Sequence, residues 1–323
     1  MRLYVLRDFL KRTLMKNNFK LAFIACVIIL AGTLAVFQSC KHKAKVDNSN
    51  SFTSDSSKIV VDEAFRPIVD EELYIFKALN TKVHPTVIYA PENTEVNLLL
   101  DDSVRMAVMS RDLNASEYQA LRSRNIQPVL SRFAIDAVAL IVNGASNDTT
   151  ITVSEIKKML NGNTKQDKTI VFDNPNSGLV SYLKSFSGNK DFKQKNIFAL
   201  KSNKEVITYV SQHPEAIGIT DFSWLNDPDK DYADALQKVK IVSVRNDEGK
   251  KQSAQYFSPS QTTLELKQYP MTRNLYFVNC TGKYGLGMEF AVFLQSDRGQ
   301  RIILKSGLLP DVIPDREINI VRK

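Results

Sequence analysis

The stretch Ala137-Val138-Ala139-Leu140-Ile141-Val142 decides the fold of this chain. Its six residues are uniformly apolar, whereas a strand with one exposed face alternates apolar and polar residues. The stretch is therefore predicted to be a strand that is buried on both faces. Strand-like and helix-like patterns alternate on either side of it from residue 58 onward. This βαβ order predicts an α/β fold.

Short apolar runs on both sides of this strand predict further strands, at 58–61, 86–89, 105–109, 169–172, 216–219 and 239–242. Helix signals stand between them. Pro67 occupies a favoured first helical position, and Thr152 and Ser202 each precede a glutamate at capping-box spacing. Near the end of the chain, Gly307 and Pro310 indicate where the last helix stops.

The composition, with 43% hydrophobic and 24% charged residues, is ordinary for a globular protein. A chain of 323 residues is long enough for two lobes. The formal net charge is +8, but most of the excess lies in the first 58 residues, and the rest of the chain is close to neutral. A basic face for nucleic acid is therefore not expected.

The N-terminus has the organisation of a secretory signal. Basic residues precede an uncharged apolar run at 21–37, and the small Ser39 stands just before Cys40. The Ser39-Cys40 pair resembles a lipobox, so residues 1–39 are predicted to be a lipoprotein signal peptide and Cys40 the lipidation site. The alternative is an uncleaved anchor helix, for which such a run is at the short limit.

Residues 40–57 are polar and serine-rich and are predicted to form a flexible tether. If Cys40 carries a lipid, Cys280 has no partner for an intramolecular disulfide. Cys280 lies in an apolar context and is predicted to be a buried free thiol. A signal-like start also follows Met15, so Met1 and Met15 remain alternative initiators.

The sequence carries no recognisable catalytic or metal motif. His42, His84 and His213 lack metal-ligand spacing and do not belong to a nucleophile–base pair. There is no G-x-G-x-x-G fingerprint and no Walker A motif. The chain is therefore expected not to be an enzyme and to need neither a cofactor nor a metal.

Four blocks along the chain lie in a fixed order: MSRDL at 109–113, HPEAIGI at 213–219, YPMTRNLY at 269–276, and the helical segment 290–310. Each is a weak signal alone, but together they resemble the phosphate ABC-transporter substrate-binding protein family (PstS-like) over roughly residues 58–310. The resemblance implies a two-lobed periplasmic-binding-protein-like fold of the α/β class, whose ligand lies in a cleft between lobes.

The implied domain organisation has a first lobe that is built from two parts of the chain. Residues 58–141 and 243–323 form lobe I, and residues 142–242 form lobe II, with hinge crossings near 140–141 and 241–242. The implied function is capture of phosphate or a related oxyanion for the permease subunits of an ABC importer. The protein is expected to be a monomer, exported and anchored to the cell membrane on the periplasmic side.

Four loops that follow strands and begin helices are expected to form the site, because helix N-termini favour anions. The resemblance implies these ligand-binding residues: Phe65, Thr94, Ser110, Arg111, Asn176, Ser177 and Gly178. Arg111 is expected to supply the charge-assisted hydrogen bonds. The alternative for Thr94 and Ser177 is a role as helix N-caps only.

This sequence departs from the family pattern in its charges. Ala64 stands where a hydroxyl is usual, Asp173 replaces an arginine, and Arg111 replaces an aspartate. Asp173 is therefore expected to pair with Arg111 or to point away from the ligand, unless the ligand is not phosphate. The alternative function is an orphan PstS-like lipoprotein that serves in sensing, adhesion or protein interaction without oxyanion transport.

Overall fold

A mixed sheet of ten strands forms the framework of the computed structural model, which describes residues 58–163, 168–226 and 228–314. The strands in chain order are β1 Lys58–Asp62, β2 Thr86–Ala90, β3 Met106–Met109, β4 Val129–Asn143, β5 Thr150–Thr152, β6 Thr169–Phe172, β7 Ile197–Ala199, β8 Ala216–Asp221, β9 Val239–Ile241, β10 Ser243–Arg245, β11 Thr272–Asn279 and β12 Leu309–Pro310. Strands β5 and β10 form a separate parallel pair.

The strand order of the large sheet is β2-β1-β3-β11-β4-β8-β6-β7, with β9 and β12 also paired to β4. Strands β1, β2 and β3 are parallel, as are β6, β7 and β8. Strand β4 is antiparallel to β11 and to β8. The α/β class is therefore confirmed, with an antiparallel centre that the βαβ order alone did not predict.

Strand β4 is 15 residues long and joins two sides of the sheet. Its first part pairs with β11, up to Ala137, and its last part pairs with β8, from Val138. We call the part of the sheet with β1, β2, β3 and β11 the β3 side, and the part with β6, β7, β8 and β9 the β6 side. Residues 137–142 are at most 2% exposed, so the predicted two-faced burial is confirmed.

The α-helices cover this framework. In chain order they are α1 Arg66–Leu79, α2 Glu92–Leu100, α3 Ala115–Ser123, α4 Val153–Leu160, α5 Gly178–Ser187, α6 Asn203–Gln212, α7 Ala233–Leu236, α8 Gln261–Glu265, α9 Leu286–Gln295 and α10 Asp297–Lys305. One apolar cluster includes side chains from both sides of the sheet, such as Val61 and Ile219.

The local signals in the sequence predicted several helix ends. Thr152 and Glu155 form a complete capping box at the start of α4. Ser202 caps α6, but the Glu205 side chain accepts from the backbone N–H of Lys201 rather than from that of Ser202. Gly307 follows α10 with a φ of +86°, a conformation that glycine adopts without strain. It therefore ends that helix as predicted.

The two predicted hinge crossings lie on neighbouring strands, because Ile141 of β4 pairs with Ile241 of β9. The lobe boundaries themselves stay a prediction. The predicted signal peptide, Cys40 and the tether at 40–57 lie outside the described residues. Cys280 is buried and free, as predicted, and burial raises the pKa of its thiol to about 12.

Candidate functional site

The first turn of α5 is the centre of the candidate site. Ser177 is the N-cap of this helix, and its hydroxyl accepts from the backbone N–H of Val180 at 3.2 Å. The next residue, Gly178, donates its backbone N–H to Asp62 Oδ2 at 3.2 Å. Asp62 ends β1, so this hydrogen bond joins the β6 side to the β3 side. The N-terminus of α5 therefore already holds an anionic oxygen.

Glycine at 178 allows the two sides to approach closely. A methyl group at this position would lie 2.5 Å from Asp62 Oδ2, 2.7 Å from Ser110 Oγ and 3.0 Å from Glu92 Oε2. Such distances are not tolerated between non-bonded atoms, so no other residue fits without a shift. Ser110 and Gly178, both predicted site residues, are thus brought together.

The preceding loop makes a second set of contacts across the same junction. The backbone N–H of Asn93 donates to the Asn176 carbonyl at 3.3 Å, and the two side-chain amides are 3.4 Å apart. Asn176, Ser177 and Gly178 therefore all lie where the two sides of the sheet meet. The structure places the loop 176–178 as the resemblance implied, while its ligand role stays a prediction.

Thr94 differs from the expectation that it caps a helix. Helix α2 begins at Glu92 with Pro91 as its N-cap, so Thr94 lies inside the first turn and is exposed. Its role as an N-cap is wrong, because Pro91 already supplies the extended residue that starts the helix. Among the described residues, no hydrogen bond joins Thr94 to the N-terminal loop of α5. Its neighbour Asn93 makes that contact.

Arg111 is engaged by carboxylates of its own side of the sheet. It donates from Nε to Glu92 Oε1 at 3.1 Å and from both terminal nitrogens to Glu117 at 2.9 Å. Hydrogen bonding to Glu117 raises the pKa of the Arg111 guanidinium. The side chain is one-third exposed. Arg111 therefore lies beside Ser110 but is already paired.

Asp173 does not pair with Arg111, one of the two arrangements expected for it. Its Oδ1 accepts from the Ser177 hydroxyl at 2.6 Å, and the residue is 4% exposed. Burial, followed by the charge of Asp221, raises the pKa of the Asp173 carboxyl well above its usual range. The carboxyl is thus turned back into the N-terminal turn of α5.

The fully buried cation of the site is Arg273 on β11. Its Nη2 donates to Asp136 Oδ2 of β4 at 2.9 Å and to Asp221 Oδ1 of β8. Its guanidinium carbon lies 5.0 Å from the centroid of the Phe65 ring, within the range of a cation–π contact. Phe65, the first of the predicted site residues, therefore packs against this cation at the base of the site.

Burial sets the charge state of the surrounding carboxyls. It raises the pKa of Asp62 to about 7, with the charge of Asp221 adding to the effect. Burial also raises the pKa of Asp136 to about 7, against the lowering effect of Arg273. Asp62, which is not paired with Arg273, is therefore largely protonated below neutral pH and can donate a hydrogen bond there.

Arg273 and Asp136 are the site residues that the sequence reasoning missed, although a signal for them exists. On β11, Arg273 is in phase with the buried residues Leu275 and Phe277. On β4, Asp136 interrupts the apolar run that precedes the fold-deciding stretch. Opposite charges on two apolar segments that form neighbouring buried strands indicate an ion pair between them, because a lone buried charge is too costly.

The chemistry available here is binding through hydrogen bonds and charge. Within the part of the chain that the structure describes, no group of three or more histidine, cysteine or acidic side chains is arranged to hold a metal ion. In the same residues, no helix combines the length and the apolar character that crossing a bilayer requires. What the arrangement offers a ligand is a helix N-terminus, hydroxyls, carboxyls and a buried guanidinium.

Comparison with known proteins identifies similar chains. A family model described as a PBP superfamily domain matches residues 47–298. The phosphate-binding protein PstS of Borreliella burgdorferi is 26% identical over 302 residues, which cover 88% of this chain and 97% of that protein.

Two solved structures show the same fold at low identity. One, from Clostridium perfringens, is a candidate phosphate ABC transporter substrate-binding protein with bound phosphate; it is 20% identical, with a TM-score of 0.64, and the match covers 79% of this chain and 99% of that one. The other, an ABC-type phosphate transport receptor from Vibrio cholerae, is 18% identical, with a TM-score of 0.59 and coverage of 78% and 98%. The two-lobed fold expected from the sequence is confirmed.

Proposed function

The chain belongs to the family of PBP superfamily domains. We propose that it is an extracytoplasmic binding protein that captures phosphate or a related oxyanion for an ABC importer. The three proteins compared above are named for binding or transport of phosphate. They are not enzymes, and the expectation that this chain is not an enzyme is confirmed. Its partners would be the oxyanion and the permease subunits.

One observation carries the proposal. The N-terminus of α5 holds a carboxylate oxygen, Asp62 Oδ2, at 3.2 Å from the Gly178 nitrogen. An N–H in the first turn of a helix favours anionic oxygens of any source, including those of phosphate. Gly178 also lies close to the Ser110 hydroxyl, at the junction of the two sides. A ligand oxygen in place of Asp62 Oδ2 would be held by both sides at once.

The proposed ligand contacts come from the loops that meet at this junction. They comprise six of the seven residues expected from the resemblance: Phe65, Thr94, Ser110, Asn176, Ser177 and Gly178. Ser110, Asn176, Ser177 and Gly178 lie at the junction, Phe65 packs against Arg273, and Thr94 is exposed. Arg111, the seventh, is left out of the proposal because it is paired with Glu92 and Glu117.

A second candidate is favoured by the buried acids. Asp62, Asp173 and Glu92 are each at most 4% exposed at the position proposed for an anion. An orphan lipoprotein of the same fold, acting in sensing, adhesion or protein interaction, would need no oxyanion there. We place it second because a helix N-terminus favours anionic oxygens and the three proteins compared above are named for phosphate.

Calorimetry separates the two candidates. The full-length chain in a non-ionic detergent is titrated with phosphate, sulfate and arsenate, with chloride at matched ionic strength as the control. The transport proposal expects saturable binding of one oxyanion per chain for at least phosphate. If none of the three oxyanions gives saturable heat beyond the chloride control, the orphan-lipoprotein function replaces it.

We further propose that the protein is attached to the membrane through a lipid on Cys40, with residues 40–57 as a tether. The support is the apolar run at 21–37 followed by Ser39. Cys40→Ser should abolish incorporation of labelled palmitate and move the protein out of the detergent phase, whereas Cys26→Ser should change neither. A Cys40→Ser protein that still labels and partitions would point to Cys26 or to an uncleaved helix as the anchor.

A further inference from the structure

Two arginines lie at the candidate site, and they differ in how many of their donors are free. In Arg111, Nε donates to Glu92, and Nη1 and Nη2 both donate to Glu117. Nη1 also donates to the carbonyl of Asp112 at 2.9 Å. Four of the five N–H groups of this guanidinium therefore have an acceptor. A ligand that accepted two hydrogen bonds from it would have to break an existing charge-assisted one.

Arg273 is in the opposite situation. Only Nη2 has acceptors, Asp136 and Asp221. Nε and Nη1 have no partner among the described residues, although the side chain is 1% exposed. Buried donors without acceptors cost about 1–3 kcal/mol each, and more on a charged group. Two N–H-bearing nitrogens of a buried cation are thus left to be satisfied by acceptor oxygens from outside the chain.

The position of Arg273 connects these donors to the N-terminus of α5. Its guanidinium lies on the Phe65 ring, and Phe65 follows Asp62 within one turn. Asp62 in turn accepts the Gly178 N–H. The charge of Arg273 acts on the pKa of both Asp62 and Asp173, the two acids on either side of that N–H. The free donors and the helix N-terminus therefore belong to one site.

The charges around Arg273 permit an anion to approach. Burial alone would lower the pKa of its guanidinium, but the charges of Asp221 and Asp136 outweigh burial and raise it, so it stays charged. Asp62 and Asp173, which are not hydrogen-bonded to Arg273, have raised pKa values because of burial. In their neutral form they do not repel an oxyanion, and their O–H groups can donate to it.

We propose that the guanidinium of Arg273, rather than that of Arg111, binds the oxyanion at the N-terminus of α5. This inference rests on the function proposed above and adds the cation of the site. Nε and Nη1 point to different edges of the guanidinium, so the ligand would accept a charge-assisted hydrogen bond from one of them. Nη2 would stay bonded to Asp136 and Asp221 and hold the guanidinium in place.

Matched substitutions test the choice between the two arginines. Arg273→Met, Arg273→Lys, Arg111→Met and Arg111→Lys are compared with the parent, each as the full-length chain in non-ionic detergent, by calorimetric titration with inorganic phosphate. A charge-assisted hydrogen bond is worth about 1.5–3 kcal/mol, which corresponds to roughly ten- to a hundredfold in affinity. Arg273→Met should lose about that factor and Arg273→Lys less, because the ammonium group keeps a charged donor, whereas the two Arg111 variants should stay within about threefold.

A second measurement distinguishes a ligand contact from a purely structural ion pair and does not depend on a folded variant. The parent chain is labelled with ¹⁵N-arginine, and the Nε–H resonances are followed as phosphate is added; that of Arg273 is assigned through its proximity to the Phe65 ring. The Arg273 resonance should shift with the same saturation curve as the calorimetric binding. The Arg111 resonance should shift little, because the Arg111 Nε–H already donates to Glu92.

The outcomes separate this inference from the function on which it rests. If the parent binds phosphate but only Arg111 variants lose affinity and only the Arg111 resonance shifts, the inference is wrong and the function stands. If Arg273 variants fail to unfold cooperatively, the resonance shift of the parent decides alone. If the parent binds no oxyanion, both the function and the inference are overturned.

Discussion

The side chain of Glu72 illustrates how burial in this fold makes the ionisation of a single carboxyl unfavourable. It lies on the buried face of α1 with Leu73 and Phe76, and neither of its carboxylate oxygens has a partner among the described residues. Burial raises its pKa to about 9, with a smaller contribution from the charge of Glu71. Glu72 therefore stays protonated at neutral pH in the folded chain but ionises in the unfolded chain.

The sign of the resulting pH dependence follows from this raised pKa. The contribution of Glu72 to stability is fully present below its unfolded pKa of 4.5 and is lost progressively as the pH rises toward about 9. Glu72→Gln removes the titration and should raise the free energy of unfolding at pH 7 by about 2–3 kcal/mol, with little gain at pH 4.

Urea unfolding at the two pH values measures this gain. The exposed Glu265→Gln provides the control and should change stability by less than about 0.5 kcal/mol at either pH. A gain from Glu72→Gln that is equal at pH 4 and pH 7 would mean that the carboxyl does not titrate in this range.

The raised pKa of Asp62 predicts how the affinity for an anionic ligand depends on pH. Its pKa is raised to about 7 by burial, and Asp62 Oδ2 occupies the Gly178 N–H. As the pH rises from 6 to 8, Asp62 ionises, repels an incoming anion and competes with it for that N–H. Sulfate keeps a constant charge in this range, so its affinity should fall by up to about tenfold, the ratio of the protonated fractions of Asp62 at the two pH values.

Calorimetry with sulfate across this range tests the role of Asp62. Asp62→Asn should bind sulfate more tightly than the parent at pH 8 and should have a flatter pH profile. The exposed Asp101→Asn should keep the profile of the parent. A parent profile that is already flat, or one that Asp62→Asn leaves unchanged, would exclude Asp62 as the titrating group.

At the scale of elements, the sequence predicts best what local interactions determine. Ser177 is an N-cap and Thr152 begins a capping box, because an N-cap bonds only to residues two or three positions ahead. The stretch 137–142 is buried as its apolar pattern predicts. The alternative role of Thr94 as an N-cap is wrong for a reason that is equally local. Pro91, three residues before Thr94, occupies the N-cap position.

The pairing of charges could not be predicted in the same way. Arg111 has a choice among several acids near it in sequence, and the fold brings Glu92 and Glu117 to it rather than Asp173. The ion pair between Arg273 and Asp136 joins two residues that are 137 positions apart in the sequence. Which acid meets which arginine depends on strand order, and the antiparallel placement of β11 beside β4 is set by the whole sheet rather than by either strand.

Gly178 gives a prediction at the scale of one helix terminus. Gly178→Ala leaves the helical backbone unstrained but places a methyl group 2.5 Å from Asp62 Oδ2 and 2.7 Å from Ser110 Oγ. The first turn of α5 or the facing side chains of Asp62 and Ser110 must then move. We expect phosphate affinity to fall at least about a hundredfold, because a displacement of this size removes more than one charge-assisted contact.

A matched substitution controls for effects on the helix itself. Ser185→Ala, on the exposed face of α5, should leave phosphate binding by calorimetry within about twofold of the parent. Thermal unfolding of Gly178→Ala should remain cooperative, since alanine favours a helix. Phosphate binding of Gly178→Ala at the affinity of the parent would show that the close approach of the two sides is not needed for capture.

At the scale of the whole molecule, two kinds of contact join the β3 side to the β6 side. Trp224 donates from its indole N–H to the Ala64 carbonyl at 2.7 Å, and Arg273 of β11 reaches Asp221 of β8; both are fully buried. The Gly178–Asp62 and Asn93–Asn176 hydrogen bonds lie at the α5 junction and are longer, at 3.2–3.4 Å. The second set is the one that an incoming ligand would have to open and then replace.

This difference predicts a change of shape on binding. Without ligand, the weak junction bonds compete with water and allow the two sides to separate, whereas an oxyanion that accepts from Gly178 and from Ser110 at once favours the closed arrangement. Solution X-ray scattering of the full-length chain in detergent matched to the solvent density should therefore show a smaller radius of gyration with saturating phosphate than without it. Gly178→Ala, which disturbs this junction, should show no such decrease at the same phosphate concentration. A parent protein that binds phosphate by calorimetry with an unchanged scattering curve would mean that the ligand is held by one side alone.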